Sequence, residues 1–170
     1  MADGMGGSWF SSSDEENVTD ETGAFKIANA PKGRVMIRGM PKDWRDGDYA
    51  MLAVIRVVTP TGSTADVGSI PMVKKRVKQG DPVGELGVNF AEQPPEIELD
   101  KSEYKISWID PAGPAAKTEL KVGDVITSID GVNIVGNQPV GNALMRAAPG
   151  TKLALGLARG VTVTVILAAP

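Results

Sequence analysis

Apolar and polar residues along this chain fall into short runs, with turn residues interrupting them about every eight to twelve positions. In the first part, the stretches 24–27 (AFKI), 35–38 (VMIR), 51–58 (MLAVIRVV) and 65–70 (ADVGSI) read as strands. Thr22-Gly23, Pro31-Lys32-Gly33, Asp46-Gly47 and Thr61-Gly62 read as the turns between them. Short strands at this spacing predict a β-sandwich. From GELGVNF (84–90) onward a second series begins, with a strand at 104–109, then Asp110-Pro111-Ala112-Gly113-Pro114, a turn feeding a short helix with proline near its first position. The turn at 120–124 leads into a strand at 125–129, and Asp130-Gly131 turns the chain again. A helix is predicted over 140–148, capped by Asn137 and stopped by Pro149-Gly150. Stretches 152–157 and 161–167 form a closing hairpin about Arg159-Gly160.

Composition supports this β-rich reading. Twenty glycines and twelve prolines in 170 residues, with 5% aromatic, favour turns and short strands over long helices. A content of 42% hydrophobic and 23% charged residues suits a soluble globular protein of one or two domains. Histidine and cysteine are both absent. Their absence excludes Ser-His-Asp and Cys-His catalysis, thiol chemistry, disulfides and histidine-ligated metals within this chain. Asp124 and Asp130 could be offered as a carboxylate pair, but both fall at turn positions, where aspartate serves local hydrogen bonding. The acidic stretch 14–21 lacks the alternating oxygen ligands and terminal glutamate of an EF-hand. No catalytic residue, metal site or cofactor is therefore expected, and the chain is read as non-enzymatic.

The net charge of −3 is unevenly spread. Asp3, Asp14, Glu15, Glu16, Asp20 and Glu21 precede residue 24 without one base, while Lys74-Lys75-Arg76-Val77-Lys78 is a basic run. Without interleaved aromatics, and in an acidic chain, that run reads as a solvated linker or edge strand, so no nucleic-acid partner is expected. The most apolar stretch, 49–58, carries Arg56 and is about half the ~20 residues a membrane-spanning helix needs. Residues 1–18, rich in glycine and serine, are expected to be disordered or loosely packed, and they lack the features of a signal peptide.

Two resemblances organise these pieces. TDETGAFKIANAPKGRVMIRGMPKDW (19–44) with STADVGSIPMV (63–73) resembles the carboxypeptidase-regulatory-like domain, a small transthyretin-like β-sandwich. Thr19, Asp20, Gly23, Phe25 and Ile27 match its hairpin, Pro31 and Gly33 its turn, and Asp66, Gly68 and Ile70 its closing strand. The strands that usually precede that hairpin are missing, so the sandwich is expected to be partial, with Met1 an internal position or an artificial start of a longer protein. DPAGPAAKTELKVGDVITSIDGVNI (110–134) with APGTKLALGLARG (148–160) resembles a bacterial-type PDZ domain. The matching positions are Gly113, Pro114, Ala115, Leu120, Gly123, Asp124, Ile126, Ile129, Asp130 and Gly131, and Glu119 departs from the usual glycine. The expected architecture is mainly β: a loose segment over 1–18, a partial sandwich over 19–71, then a PDZ-type barrel with two helices over 72–170.

The PDZ resemblance implies that the glycine loop captures a peptide's C-terminal carboxylate on backbone amides, and that the following strand accepts the peptide as an added strand. A phosphate-binding role is excluded by the absence of the Lys-Ser/Thr that follows such loops. The resemblance places Leu86, Gly87, Val88, Asn89 and Phe90 on the loop and strand, and Asn137, Gly141, Leu144 and Met145 on the helix opposite. Gly141 is expected to leave space over the groove. Glu85 replaces the loop's first glycine and, with nearby Asp81, would repel a carboxylate, while Asn137 stands where many relatives place a specificity-setting histidine. Glu92, Glu96, Glu98, Asp100 and Glu103 follow the binding strand and would favour ligands with basic residues upstream of an apolar end.

The leading expectation is a non-catalytic scaffold module that binds peptide or protein segments, C-termini included, within a larger bacterial cell-envelope protein. That location is extracytoplasmic, with the cytoplasm the alternative. Two other readings compete: a structural spacer in a surface or secretion complex, and the accessory domains of a peptidase whose catalytic part lies elsewhere.

Overall fold

The repeated alternation of the closing hairpin becomes its ladder. In the computed structural model, which describes residues 18–27, 33–58, 64–92 and 102–170, β7 (Lys152–Leu157) and β8 (Thr162–Ile166) pair from Lys152↔Ile166 to Gly156↔Thr162 without a register break. Leu153, Leu155, Leu157, Val163 and Val165 point inward from it and are buried. Residues 1–17, the Pro31-Lys32 and Thr61-Gly62 turns, and the acidic positions Glu96, Glu98 and Asp100 lie outside the described residues.

The fold is mainly β, with antiparallel sheets consistent with a PDZ-type architecture. The remaining elements among the described residues are β1 (Gly33–Gly39), β2 (Leu52–Val58), β3 (Val88–Phe90), β4 (Tyr104–Ile109), β5 (Val125–Ile129), β6 (Val132–Asn133) and one α-helix, α1 (Gln138–Met145). The second helix expected from the sequence is a 3-10 turn at Ala115–Lys117, directly after Pro114. Strands β3-β4-β5-β7-β8 lie in that order in one sheet, β6 pairs with β5, and β1 pairs with β2. The helix begins two residues earlier and ends three residues sooner than the pattern predicts, because Pro139 fits its first turn and the Arg146 amide closes it on Asn142. Among the described residues no helix is long and apolar enough to cross a membrane.

Contacts divide the chain into two compact units, Met1–Val35 with Arg56–Gly68, and Met36–Ile55 with Ser69–Pro170. In the first, Asp20 builds a turn: its Oδ1 accepts from the Thr22 amide and hydroxyl and from the Ala24 amide, and Gly23 adopts a φ of +83°. The Thr22 hydroxyl comes first in holding the Asp20 carboxyl below its usual pKa, and the amides of Ala24 and then Thr22 add to it. Residues 24–27 and 65–70, read as strands, form none, and 24–27 are exposed. A stretch this short needs a ladder partner to persist as a strand, and here the hydrogen bonds go to local turns, as in Gly68 N–H to Asp66 Oδ1 at 2.8 Å.

The core of the second unit is built from Ile106, Ile126, Ile129, Ile134, Val140, Leu144, Leu153, Leu155 and Val165, and Leu52 belongs to it. Leu52 is carried there by a tie between two segments: Ala50 N–H bonds to Val73 O at 2.9 Å, and Lys75 N–H to Asp48 O at 2.7 Å. The basic run, read as solvated linker or edge, is pinned along its length. Lys74 lies over the Tyr49 ring, Lys75 Nζ donates to the carbonyls of Trp44 and Arg45, Arg76 pairs with Asp130, and Lys78 pairs with Asp48. Val77 between them is buried.

Candidate functional site

The stretch 84–90 is held at both of its ends, and its two glycines are required by what surrounds them. Gly84 donates to Ala147 O at 2.8 Å, and a Cβ there would lie 2.7 Å from the Leu167 Cβ. Glu85 exchanges two backbone hydrogen bonds with Ala168, at 2.9 and 3.1 Å, which fastens the loop to the end of the chain beyond β8. Gly87 has a φ of +72°, a conformation that disfavours other residues, and a Cβ on it would sit 3.1 Å from Gly113 Cα and Pro114 Cδ.

That arrangement sorts the loop's polar groups. The Leu86 carbonyl accepts from Ala115 N–H at 3.2 Å and the Gly87 carbonyl from Asp110 N–H at 2.9 Å. The amides of Leu86 and Gly87 find no acceptor among the described residues. Consecutive amides left open beside a left-handed glycine have the make-up of an anion nest. Asp81 is engaged in its own turn, accepting from the Lys78 amide at 2.6 Å, while Glu85 is exposed.

Strand β3 continues from the loop along one edge of the sheet, bonded only to β4 among the described strands. Antiparallel strands alternate groups that bond inward with groups that point away. Gly87 O and Ala91 N–H both bond toward the β4 side, so the N–H and C=O groups of Val88 and Phe90 face the open edge. The side chains of Val88 and Phe90 pack against the core, and Asn89 is exposed. A register shift between Asn89 and Phe90 gives β4 an extra residue, Ser107, whose hydroxyl bonds to Asn89 O at 3.1 Å.

Tyr104, which the sequence reading did not include, determines the space beside α1. Its ring meets Phe90 edge-on, with centroids 5.3 Å apart and planes at 78°. Its hydroxyl lies 2.6 Å from Gln138 O and 2.9 Å from Asn142 Oδ1. Burial pushes the phenol's pKa well above its ordinary value, against the smaller opposing effect of Asn142. Gly141 is buried, and a Cβ on it would overlap the Tyr104 ring. The space expected over the groove is therefore filled by that ring, and Gly141 is there to let it in. An inward aromatic at the start of a strand, paired with a glycine inside a helix, was the signal available.

The other predicted residues separate by depth. Leu144 is part of the buried core, while Leu86, Val88, Phe90 and Met145 are half-buried around it. Asn137 occupies the N-cap position, but its side chain makes no capping bond, and its Oδ1 is enclosed without a hydrogen-bond partner among the described residues. Asp124 and Asp130 both serve turns. Asp124 accepts from the Lys121 amide and Arg159, and Asp130 from the Ala154 amide and Arg76. Burial pushes each carboxyl up, but these donors and the nearby positive charge outweigh it and hold both below their usual range. Among the described residues no group of three potential acidic or sulfur ligands is assembled.

Residues 84–166 match the family described as PDZ domain, which supports a PDZ domain over this stretch and suggests a module that binds peptides or proteins. No curated protein matches the chain.

Proposed function

We propose that this PDZ domain is a non-catalytic module that captures extended peptide segments, C-terminal ones included, by strand addition to β3. The observation that carries the reading is the open edge itself: outward N–H and C=O groups at Val88 and Phe90, continuous with the unpaired amides of Leu86 and Gly87. Val88 and Phe90 supply the two pairs of backbone contacts, Leu86 and Met145 border an apolar end group, and the nest receives a terminal carboxylate. Gly141 and Leu144 act from beneath by positioning Tyr104 and the helix, and Asn89 and Asn137 flank the strand and the helix start. Glu92 follows β3 and Glu103 precedes β4, both exposed, so basic residues upstream in the ligand add attraction that salt weakens.

The test varies the ligand, leaving the protein intact. A labelled peptide with a free apolar C-terminus is titrated against its C-terminal amide by fluorescence polarisation. The nest reading expects the amide to bind at least about ten-fold more weakly, a difference of about 1.4 kcal/mol. Equal binding would remove the nest and leave strand addition. Absence of binding by a peptide library, basic members included, would favour the spacer reading.

A further inference from the structure

We propose that the opposite edge of the sheet, β8, pairs antiparallel with β8 of a second copy of this chain. The ladder leaves this edge open. Leu157 N–H bonds to Val161 O and Leu167 N–H to Thr151 O, so the alternation directs the backbone groups of Thr162, Thr164 and Ile166 away from β7. None of these three has a backbone partner on that side among the described residues.

Sheet edges are ordinarily guarded by charges, proline, bulges or a covering segment. β8 has an unbroken register and carries no charged residue. Its solvent-side row is Thr162, Thr164 and Ile166, the last 53% exposed. β3 differs in being three residues long, interrupted in register and preceded by the glycine loop.

The occupant follows from symmetry and from where the edge is closed. Glu85 takes the position beside Ala168, so an added strand can extend only as far as Ile166. The open groups at Thr162, Thr164 and Ile166 are self-complementary about Thr164, because an identical antiparallel strand sets Thr164 against Thr164 and Thr162 against Ile166. The second copy turns away at its Gly160 before it reaches Glu85, since β7 and β8 are joined there by a tight turn with φ +83°. Up to about six interchain hydrogen bonds close in this register. Neither row itself carries a charge, the charged neighbours beside Thr162 and Thr164 are the oppositely charged Lys117 and Glu119, and the two-fold axis passes through Thr164.

Sedimentation velocity of the full chain, from micromolar to near-millimolar concentration, tests the pairing. The expected result is a mass rising from one chain toward two. Thr164→Lys and Thr164→Glu each place like charges across the axis at an exposed position, and each should hold the chain monomeric while matching the thermal melt of the wild type at the low concentrations where that is monomeric. An equimolar mixture of the two variants should restore the dimer. A wild-type chain that stays monomeric throughout, a dimer that survives Thr164→Lys, or a mixture that fails to associate would each overturn the proposal.

Discussion

Tyr104 and Gly141 form a lock in which each side chain is required by the other. Adding one carbon at Gly141 forces the Tyr104 ring out of the space it shares with Phe90. Gly141→Ala should therefore destabilise the domain by about 1–3 kcal/mol, seen as a lowered midpoint in urea. Tyr104→Phe keeps the ring but removes the hydroxyl that lies against the Gln138 carbonyl and the Asn142 amide oxygen, which should cost about 1 kcal/mol by the same measurement. Titration acts at this scale too. The Asp124 and Asp130 carboxyls are held below the unfolded value of about 3.9. Their stabilisation is thus complete above about pH 4 and is lost as pH falls through the lower folded values. The Asp130 side chain is 35% exposed, so solvent screening limits its share to about 1 kcal/mol or less. Asp130→Asn, which tolerates the positive φ of that turn, should flatten the acid limb of a melting-temperature profile between pH 6 and 2.5.

β3 is the element on which the binding reading stands, and its ladder parity makes a residue-resolved prediction. Addition of a peptide should slow amide hydrogen exchange at Val88 and Phe90. Exchange at Ala91 should stay nearly constant, since its amide already bonds to Lys105 O. Equal slowing at all three, or none, would argue against an added strand in this register. The basic run at 74–78 is informative at the same scale. Its charges read as solvent-directed when taken one by one, yet contacts with Tyr49, Trp44, Arg45, Asp130 and Asp48 hold it in place within the second unit. Arg76→Ala should destabilise the fold by about 0.5–1 kcal/mol, somewhat more than a typical exposed pair, because Asp130 also anchors the Ala154 amide. Comparing urea midpoints of Arg76→Ala, Asp130→Asn and the double variant measures their coupling.

For the whole molecule, the segment 36–55 carries more weight than its distance in sequence from the PDZ domain suggests. Leu52 lies in the same core as Ile106 and Leu153, and burial of such a side chain contributes about 1.5–3 kcal/mol. A fragment beginning at residue 36 should therefore be more stable than one beginning at residue 72 by about 2 kcal/mol or more, measured by urea denaturation of both. Equal stability would show that the segment rests on the domain without supporting it.

What the sequence determined by itself is the set of local decisions. The β7–β8 alternation, the glycine at 87, the Asp-Gly turn at 130 and the Gly-Pro-Ala-Ala turn at 113–116 are each specified within a few residues, so period, turn chemistry and family pattern were enough to read them. The loop and strand at 86–90 were legible for the same reason. Only the tertiary structure decided the rest. Residues 24–27 and 65–70 have strand-like composition but no ladder partner, and Leu52 and Val77 acquire their burial from segments distant in sequence. The filled space beside α1 depends on Tyr104, which lies 37 positions from Gly141 (141 − 104). Local propensity says which conformations a segment permits, whereas a partner across the fold decides which of them buries surface and completes its hydrogen bonds.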